Sequence, residues 1–527
     1  MKKFLAVGLT LLTGWWMGVS QAQVVSGTPV RGGVLQSVLW PEPPGIVPGL
    51  FLQSPALLPG TKIFESLLTY DFKLAPQPSL AESWTISPDG RKYTFNLRRN
   101  VRWHDGKAFT ADDVVFTFGE FLVDVHPRSK AVFERTKVSK VDAYTVEFAL
   151  SEPFGPLLRS FDTIGAPVLP AHIYKGTDFR KNPANATPVG TGPFRFKEWK
   201  RGEYIHLVRN NDYWRAGLPY LDEIYYRFVP DAASRALGLE SQQFHIATQN
   251  DLELIDAARL SKLPYLESTN RGWEWGSPIA WIELNLRSAP FNDRRFRQAL
   301  MHALDRQQFR DTVFQGFAKV ATGPIHSDSP YYEPRVRQYD FNVAKAEALL
   351  DEMGLKKGAN GIRTTVKLLG LPYGEVWKRA AESTRQALRR VGIEVVLEST
   401  DAAGWVDRLK NWEFEMIMTY LTTLSDPALG VSRTFLTDNQ RKGVPFTNEA
   451  GYTNAKVDAL FKEAAATVDE GKRKQLYSEV QKVLVDDAAV IWLVELQWPT
   501  VHNKRLRNAV INGLGPNSSF AEAWLVK

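Results

Sequence analysis

The chain has 527 residues, 44% hydrophobic and 23% charged, with apolar and aromatic residues spread from end to end; this excludes disorder over most of the length and leaves room for about three compact units. Lys and Arg total 65 against 58 Asp and Glu, a net charge of +7 that is too dilute for the concentrated basic stripe of a nucleic-acid binder. The absence of cysteine excludes disulfides, thiol catalysis, zinc ribbons, iron–sulfur clusters and a lipid anchor on an N-terminal Cys.

Lys2 and Lys3 precede an uncharged stretch from Phe4 to Val19, and Ser20-Gln21-Ala22 then places small residues at the two positions a signal peptidase reads. The apolar stretch is shorter than the roughly 20 residues a spanning helix needs. Residues 1–22 therefore read as a cleaved secretory signal, and the product as an exported, soluble protein.

Gly32 to Leu39 reads as an opening strand, followed by a proline-rich loop from Pro41 to Pro48. Tyr93, Phe95 and Leu97 alternate with polar residues between the turn signals Asp89-Gly90 and Asp105-Gly106. Thr110 followed by Asp112 and Asp113 is a helix start, and Val114, Val115, Phe118, Phe121 and Leu122 share one helical face. Tyr144, Val146 and Phe148 alternate again, so 65–188 is expected to be a small α+β unit. Further on, Asn292 or Asp293 caps a helix through Leu304, and another helix runs from about Asn342 to Met353. Pro372 to Val391 is helical, Ile393 to Leu397 extended, and Phe414, Met416, Met418 and Tyr420 line one side of a strand. Helices follow at about 454–468 and 470–486, then an apolar strand from Val490 to Leu496. Alternating helices and strands over 290–420 predict an α/β lobe.

Catalytic signatures are scarce. No two of the eight histidines stand three or four apart, so no helical metal pair is expected. Gly190-Thr191-Gly192-Pro193 lacks the Lys-Ser/Thr of a phosphate loop and reads as a turn. Trp103-His104-Asp105-Gly106 sets an imidazole beside a carboxylate, but Asp-Gly makes it a hairpin corner with Trp103 packed beneath. No cofactor is called for. Of the 16 tryptophans, Trp40, Trp275, Trp405 and Trp412 sit beside loop residues, where an aromatic plate suits ligand stacking as well as core packing.

Leu80-Ala81-Glu82-Ser83-Trp84, the stretch from Val101 to Phe118, Gly190 to Phe196, Asn210 to Trp214, Pro290 to Asp293 leading into Arg297 to Leu300, and Tyr452 to Leu460 occur in order along the chain. In this series the sequence resembles the family 5 extracellular solute-binding proteins, the peptide, nickel and sugar receptors of ABC importers. The resemblance implies an α/β, two-lobed periplasmic-binding-protein fold with a hinge. The first lobe would comprise 24–64, 189–275 and 490–527, with 65–188 inserted as an accessory domain and 276–489 as the second lobe. It also implies a monomeric receptor, not an enzyme, that closes on its ligand and delivers it to a membrane permease.

Peptide-binding members of that family hold the ligand's ammonium on an Asp shortly before an acidic-Pro pair. Here the stretch runs Tyr420-Leu421-Thr422-Thr423-Leu424-Ser425-Asp426-Pro427, which puts Thr423 at the anchor position. Asp426 falls in the acidic-Pro pair, with local turn geometry as its expected work. The departure leaves Thr423 to hydrogen-bond a neutral or modified group. Tyr420 and Thr423 are thus the first candidates for ligand contact, with Trp405, Trp275 and Trp40 as stacking plates. Lys378 and Arg379 are placed to meet an anionic end or to form a solvated helix face. The expected ligand is a peptide or peptide-like solute, with an oligosaccharide or metal chelate as the alternative and a secreted hydrolase as the remote one.

Overall fold

The computed structural model describes residues 27–526, so the expected leader at 1–22 lies outside the described residues. Of five sheets among the described residues, the three larger ones organise the fold. The first has seven strands in the order Leu266–Thr269, Thr500–Asn503, Ile246–Thr248, Val34–Leu39, Glu223–Phe228, Tyr204–Arg209 and Phe194–Lys200. The opening strand Val34–Leu39 enters at its middle, parallel to both neighbours, with Leu39 opposite Phe228 and Ser37 opposite Ile246. A central position requires two later segments to close around it, which is why this lobe is assembled from distant parts of the chain.

The second sheet has six strands in the order Ala318–Val320, Ile491–Leu496, Pro278–Leu284, Met416–Thr422, Thr364–Leu369 and Ile393–Glu398. Pro278–Leu284 and Ile491–Leu496 are buried at every position, as strands covered on both faces must be. Flanking helices begin where side-chain caps were legible: Asp293 accepts the Arg295 N–H, and Asn342 accepts the Lys345 N–H.

The expected return to the first lobe near 490 is corrected. Ile491–Leu496 pairs with Pro278–Leu284 and Ala318–Val320 of the second sheet, and chain of the first sheet resumes only at Thr500. Its run of apolar residues finds two covered faces in the second lobe. The crossings therefore occupy about 270–277 and 497–499, where Trp273 and Trp498 meet edge to face at 5.2 Å.

The third sheet is antiparallel, in the order Ala81–Ile86, Lys92–Leu97, Thr145–Leu150 and Thr136–Asp142. The helix Ala111–Phe116 packs on it behind a reciprocal cap between Thr110 and Asp113. Trp103 lies beneath the Asp105-Gly106 turn, 2% exposed, and its indole N–H donates to Asp113 at 3.2 Å. His104 faces inward to the Gly192 carbonyl at 2.9 Å. The Gly190 turn presses so closely on the first lobe that a Cβ there would lie 1.9 Å from the Ile63 carbonyl oxygen. The apolar residues of this unit and of the first lobe form one continuous core. Among the described residues no helix is long and apolar enough to cross a membrane.

Candidate functional site

A cavity of about 640 Å³ opens between the lobes. Pro41, Gln53 and Gln249 line it from the first lobe, Tyr373, Tyr420 and Thr422 from the second. The crossings contribute Trp273, Trp275 and Trp498, and the accessory unit contributes Arg128 and Ile164. A contiguous recess of about 390 Å³ shares Pro41, Gln249, Tyr373, Tyr420 and Trp498 and adds Trp40 and Trp377. These volumes, with aromatic plates set among the apolar and polar walls, suit an organic ligand held on several sides.

Tyr420 is the centre of the aromatic wall. It stands near the carboxyl end of the strand Met416–Thr422, which pairs in parallel with Thr364–Leu369. The ring of Trp377 stacks on it at 5.5 Å and 11°, and Trp498 meets it edge-on at 5.6 Å. Burial raises its hydroxyl pKa to about 12, so it meets a ligand as a neutral donor or acceptor. Trp275 is 8% exposed and lines the cleft from the first crossing. Trp40 is half-buried at the rim of the recess, its backbone N–H donating to Asp251 at 3.1 Å.

Three expected contacts fall elsewhere. Thr423 is 5% exposed, and its hydroxyl donates to the Ser277 carbonyl at 2.8 Å, so the group expected to meet a ligand instead ties the strand end to the crossing. Gly430 packs on the same residue, its absent Cβ position being 2.1 Å from the Thr423 carbonyl oxygen. Trp405 is 2% exposed, on the inward face of the helix Ala402–Lys410 near Phe446, and is part of the second-lobe core. Asp426 has no exposed surface: it accepts the Ala428 N–H and two bonds from Arg473 at 2.6 and 2.7 Å, with Arg159 at 3.9 Å. Its work is a helix cap and a buried ion pair. Lys378 and Arg379 lie on the exposed face of Glu375–Arg390, where Lys378 pairs with Glu375 at 2.6 Å.

Sequence reasoning passed over Trp498, Trp377, Tyr373 and Arg128. Gln497-Trp498-Pro499 did carry a signal: a tryptophan between a polar residue and a proline at the end of an apolar strand. Arg128 carried none. Among the described residues no three His, Cys, Asp or Glu side chains gather as a metal set.

The model of the bacterial extracellular solute-binding proteins, family 5, matches residues 75–443. This chain belongs to that family. Within it, the oligopeptide-binding protein AppA of Bacillus subtilis is 30% identical over 510 residues, covering 93% of this chain and 91% of its own length. The probable D,D-dipeptide-binding periplasmic protein DdpA of Escherichia coli is 28% identical and covers 82% of each chain. The structure of Bacillus subtilis AppA in complex with a nonapeptide superposes with a TM-score of 0.77 at 27% identity, covering 95% of this chain and all of the other. The two-lobed periplasmic-binding-protein fold of the family is the fold seen here.

Proposed function

We propose that this family 5 protein is the exported, ligand-capturing component of an ABC importer. It holds a peptide or peptide-like solute between its lobes and hands it unreacted to a membrane permease, acting as a monomer. The observation that carries the reading is the cleft of about 640 Å³, lined by both lobes and by both crossings. A ligand touching both walls favours the closed arrangement by its extra contacts there. The peptide-binding names of the relatives at 28–30% identity support the ligand class. Tyr420, Trp275 and Trp40 are the proposed contacts from the original set, joined by Trp377 and Trp498. No reacting group is needed for this work, so no turnover is expected.

Native mass spectrometry of the purified protein, followed by calorimetry with dipeptide, oligopeptide and sugar pools, tests the proposal. Heat from a peptide pool, with the peptide recovered intact, is expected. Heat from sugars alone would replace the peptide with an oligosaccharide, and steady product formation would replace the receptor with a hydrolase.

A further inference from the structure

A second chamber, of about 510 Å³, lies between the accessory unit and the second lobe. Trp275 and Arg128 line both it and the interlobe cleft, so the two spaces share a wall and a cation. Its basic side chains outnumber its acidic ones. Arg128, Arg135, Arg159, Arg433 and Lys462 line it, against Asp162. Arg159 is held by Glu470 at 3.0 Å and Lys462 by Asp438 at 2.9 Å, while Arg135 is exposed at the rim.

Arg128 and Arg433 remain. Among the described residues neither has a carboxylate within 4 Å, and the one hydrogen bond of the pair runs from Arg433 to the Gly430 carbonyl at 3.2 Å. Both guanidinium groups are half-buried and act on each other across the chamber. Burial and then Arg128 bring the Arg433 pKa down to about 10. Asp162 acts on Arg128 and Glu449 on Arg433, but from beyond contact distance, so neither carboxylate occupies its arginine's donors. The Asp162 carboxylate accepts the Ile164 and Gly165 N–H groups at 2.9 and 2.7 Å, and burial raises its pKa to about 6.

His126 adds a third donor to the same lining. Its Nδ1 accepts the Ser129 N–H at 3.1 Å, so the proton sits on Nε2, and burial keeps the ring neutral by lowering its pKa to about 3. That Nε2–H is buried without a hydrogen-bond partner. Two facing cations and an unanswered N–H in a part-desolvated space are costly until an acceptor arrives. Guanidinium pairs match the planar, two-oxygen geometry of a carboxylate. The remaining walls are apolar, with Val132, Phe133, Leu429 and Phe461 among them.

We propose that this chamber receives an anionic end of the ligand, an apolar group bearing a carboxylate, which pairs with Arg128 and Arg433. The inference rests on the receptor reading above and narrows its ligand: a peptide's last residue, apolar in side chain and free at its carboxyl group, enters the chamber while the rest lies in the cleft.

Calorimetry with matched oligopeptides ending in Leu or Phe, each as free acid and as terminal amide, tests it. The acid is expected to bind at least tenfold tighter to the wild type. In Arg128→Gln and Arg433→Gln that preference should vanish, the acid losing at least tenfold more affinity than the amide. Equal binding of acid and amide by the wild type, or equal weakening of both by the substitutions, would overturn the proposal. If neither glutamine variant folds, Arg128→Lys and Arg433→Lys keep the charge and lose the fork, and a reduced acid preference is still expected. Phenylpropionate, phenylpropionamide and inorganic phosphate, read by the shift in melting temperature, form a second arm independent of peptides. Stabilisation by phenylpropionate alone, lost in Arg128→Gln, would uphold the chamber even if every peptide failed and the peptide reading fell with them. No response in either arm, or a response to phosphate alone, would overturn it.

Discussion

Two sets of arginines meet at the junction of the accessory unit and the second lobe, and they differ in what answers them. Arg473 is 1% exposed and makes two bonds to Asp426, while Tyr331 accepts a further one at 2.6 Å. Arg159 joins the same carboxylate from the accessory side and donates to the Leu74 carbonyl at 2.6 Å. Arg128 and Arg433, lining the chamber nearby, have no carboxylate within 4 Å among the described residues; Asp162 and Glu449 act on them only from further off. A buried charge whose partners are all internal serves the fold. A half-buried charge left open toward a cavity is kept for something that arrives from solution.

Removing Asp426 should break the first set and have the largest effect. Asp426→Ala leaves Arg473 buried without its counter-ion, which costs about 3–5 kcal/mol for a pair of this kind. Urea or thermal unfolding is expected to show that loss, with the melting temperature well down. A variant as stable as the wild type would mean that the Arg473–Asp426 pair does not brace the junction.

Glu495 sharpens the contrast from the acidic side. It is 1% exposed and is met by Ser327, whose N–H and hydroxyl both donate to it, at 2.9 and 2.5 Å; among the described residues no lysine or arginine lies within 4 Å, and His326, at 3.7 Å, is kept neutral by burial, which lowers its pKa to about 4. Burial raises its pKa to about 7, above the ordinary carboxyl value. A carboxyl that holds its proton more tightly in the folded state loses stability as pH rises from about 4.5 to about 7, and the loss persists above that. Glu495→Gln has no proton to lose, keeps an acceptor for the Ser327 N–H and can donate to the hydroxyl. It should therefore gain about 2 kcal/mol relative to wild type between pH 5 and pH 8. Unfolding curves at the two pH values check this, and parallel behaviour of the two proteins would place the titration elsewhere.

The sequence made the local elements readable and left the contacts between them hidden. Asp293, Asn342 and Thr110 announced their helices because a cap needs only the next three residues. The alternation of Met416, Met418 and Tyr420 marked a strand and, at its end, a residue of the cleft wall. Trp405 and Trp275 looked alike in sequence, each next to a glycine and read as lying beside a loop. They diverge because Trp405 turns into the second-lobe core while Trp275 sits on a crossing. The 490 boundary was misplaced for a related reason: an apolar run shows that a strand is buried but not in which sheet. Arg128 stayed invisible because an arginine after a proline reads as surface until its neighbours from residues 420–450 are in place.

Inside the cleft, Tyr420 and Trp103 separate binding from folding. Tyr420→Ala removes the face stacked between Trp377 and the edge of Trp498, and should weaken ligand binding about tenfold, or about 1.4 kcal/mol, with a smaller effect on stability. Trp103→Ala should do the opposite, since Trp103 packs in the accessory unit away from the cleft cavity. Calorimetry with the captured ligand, paired with unfolding curves, distinguishes the two. Unchanged affinity in Tyr420→Ala would remove Tyr420 from the site.

The smallest effect belongs to Thr423. Its position invited a role in ligand recognition, yet its hydroxyl is bonded to Ser277 and buried. Thr423→Val keeps the shape, removes the donor and leaves the Ser277 carbonyl the weaker bond from the Thr423 backbone N–H at 3.3 Å. One lost internal hydrogen bond costs about 1 kcal/mol. The variant should therefore unfold slightly earlier and bind as the wild type does. A clear fall in affinity at unchanged stability would return Thr423 to the ligand, and would mean that the crossing at 270–277 shifts enough on closure to release its hydroxyl.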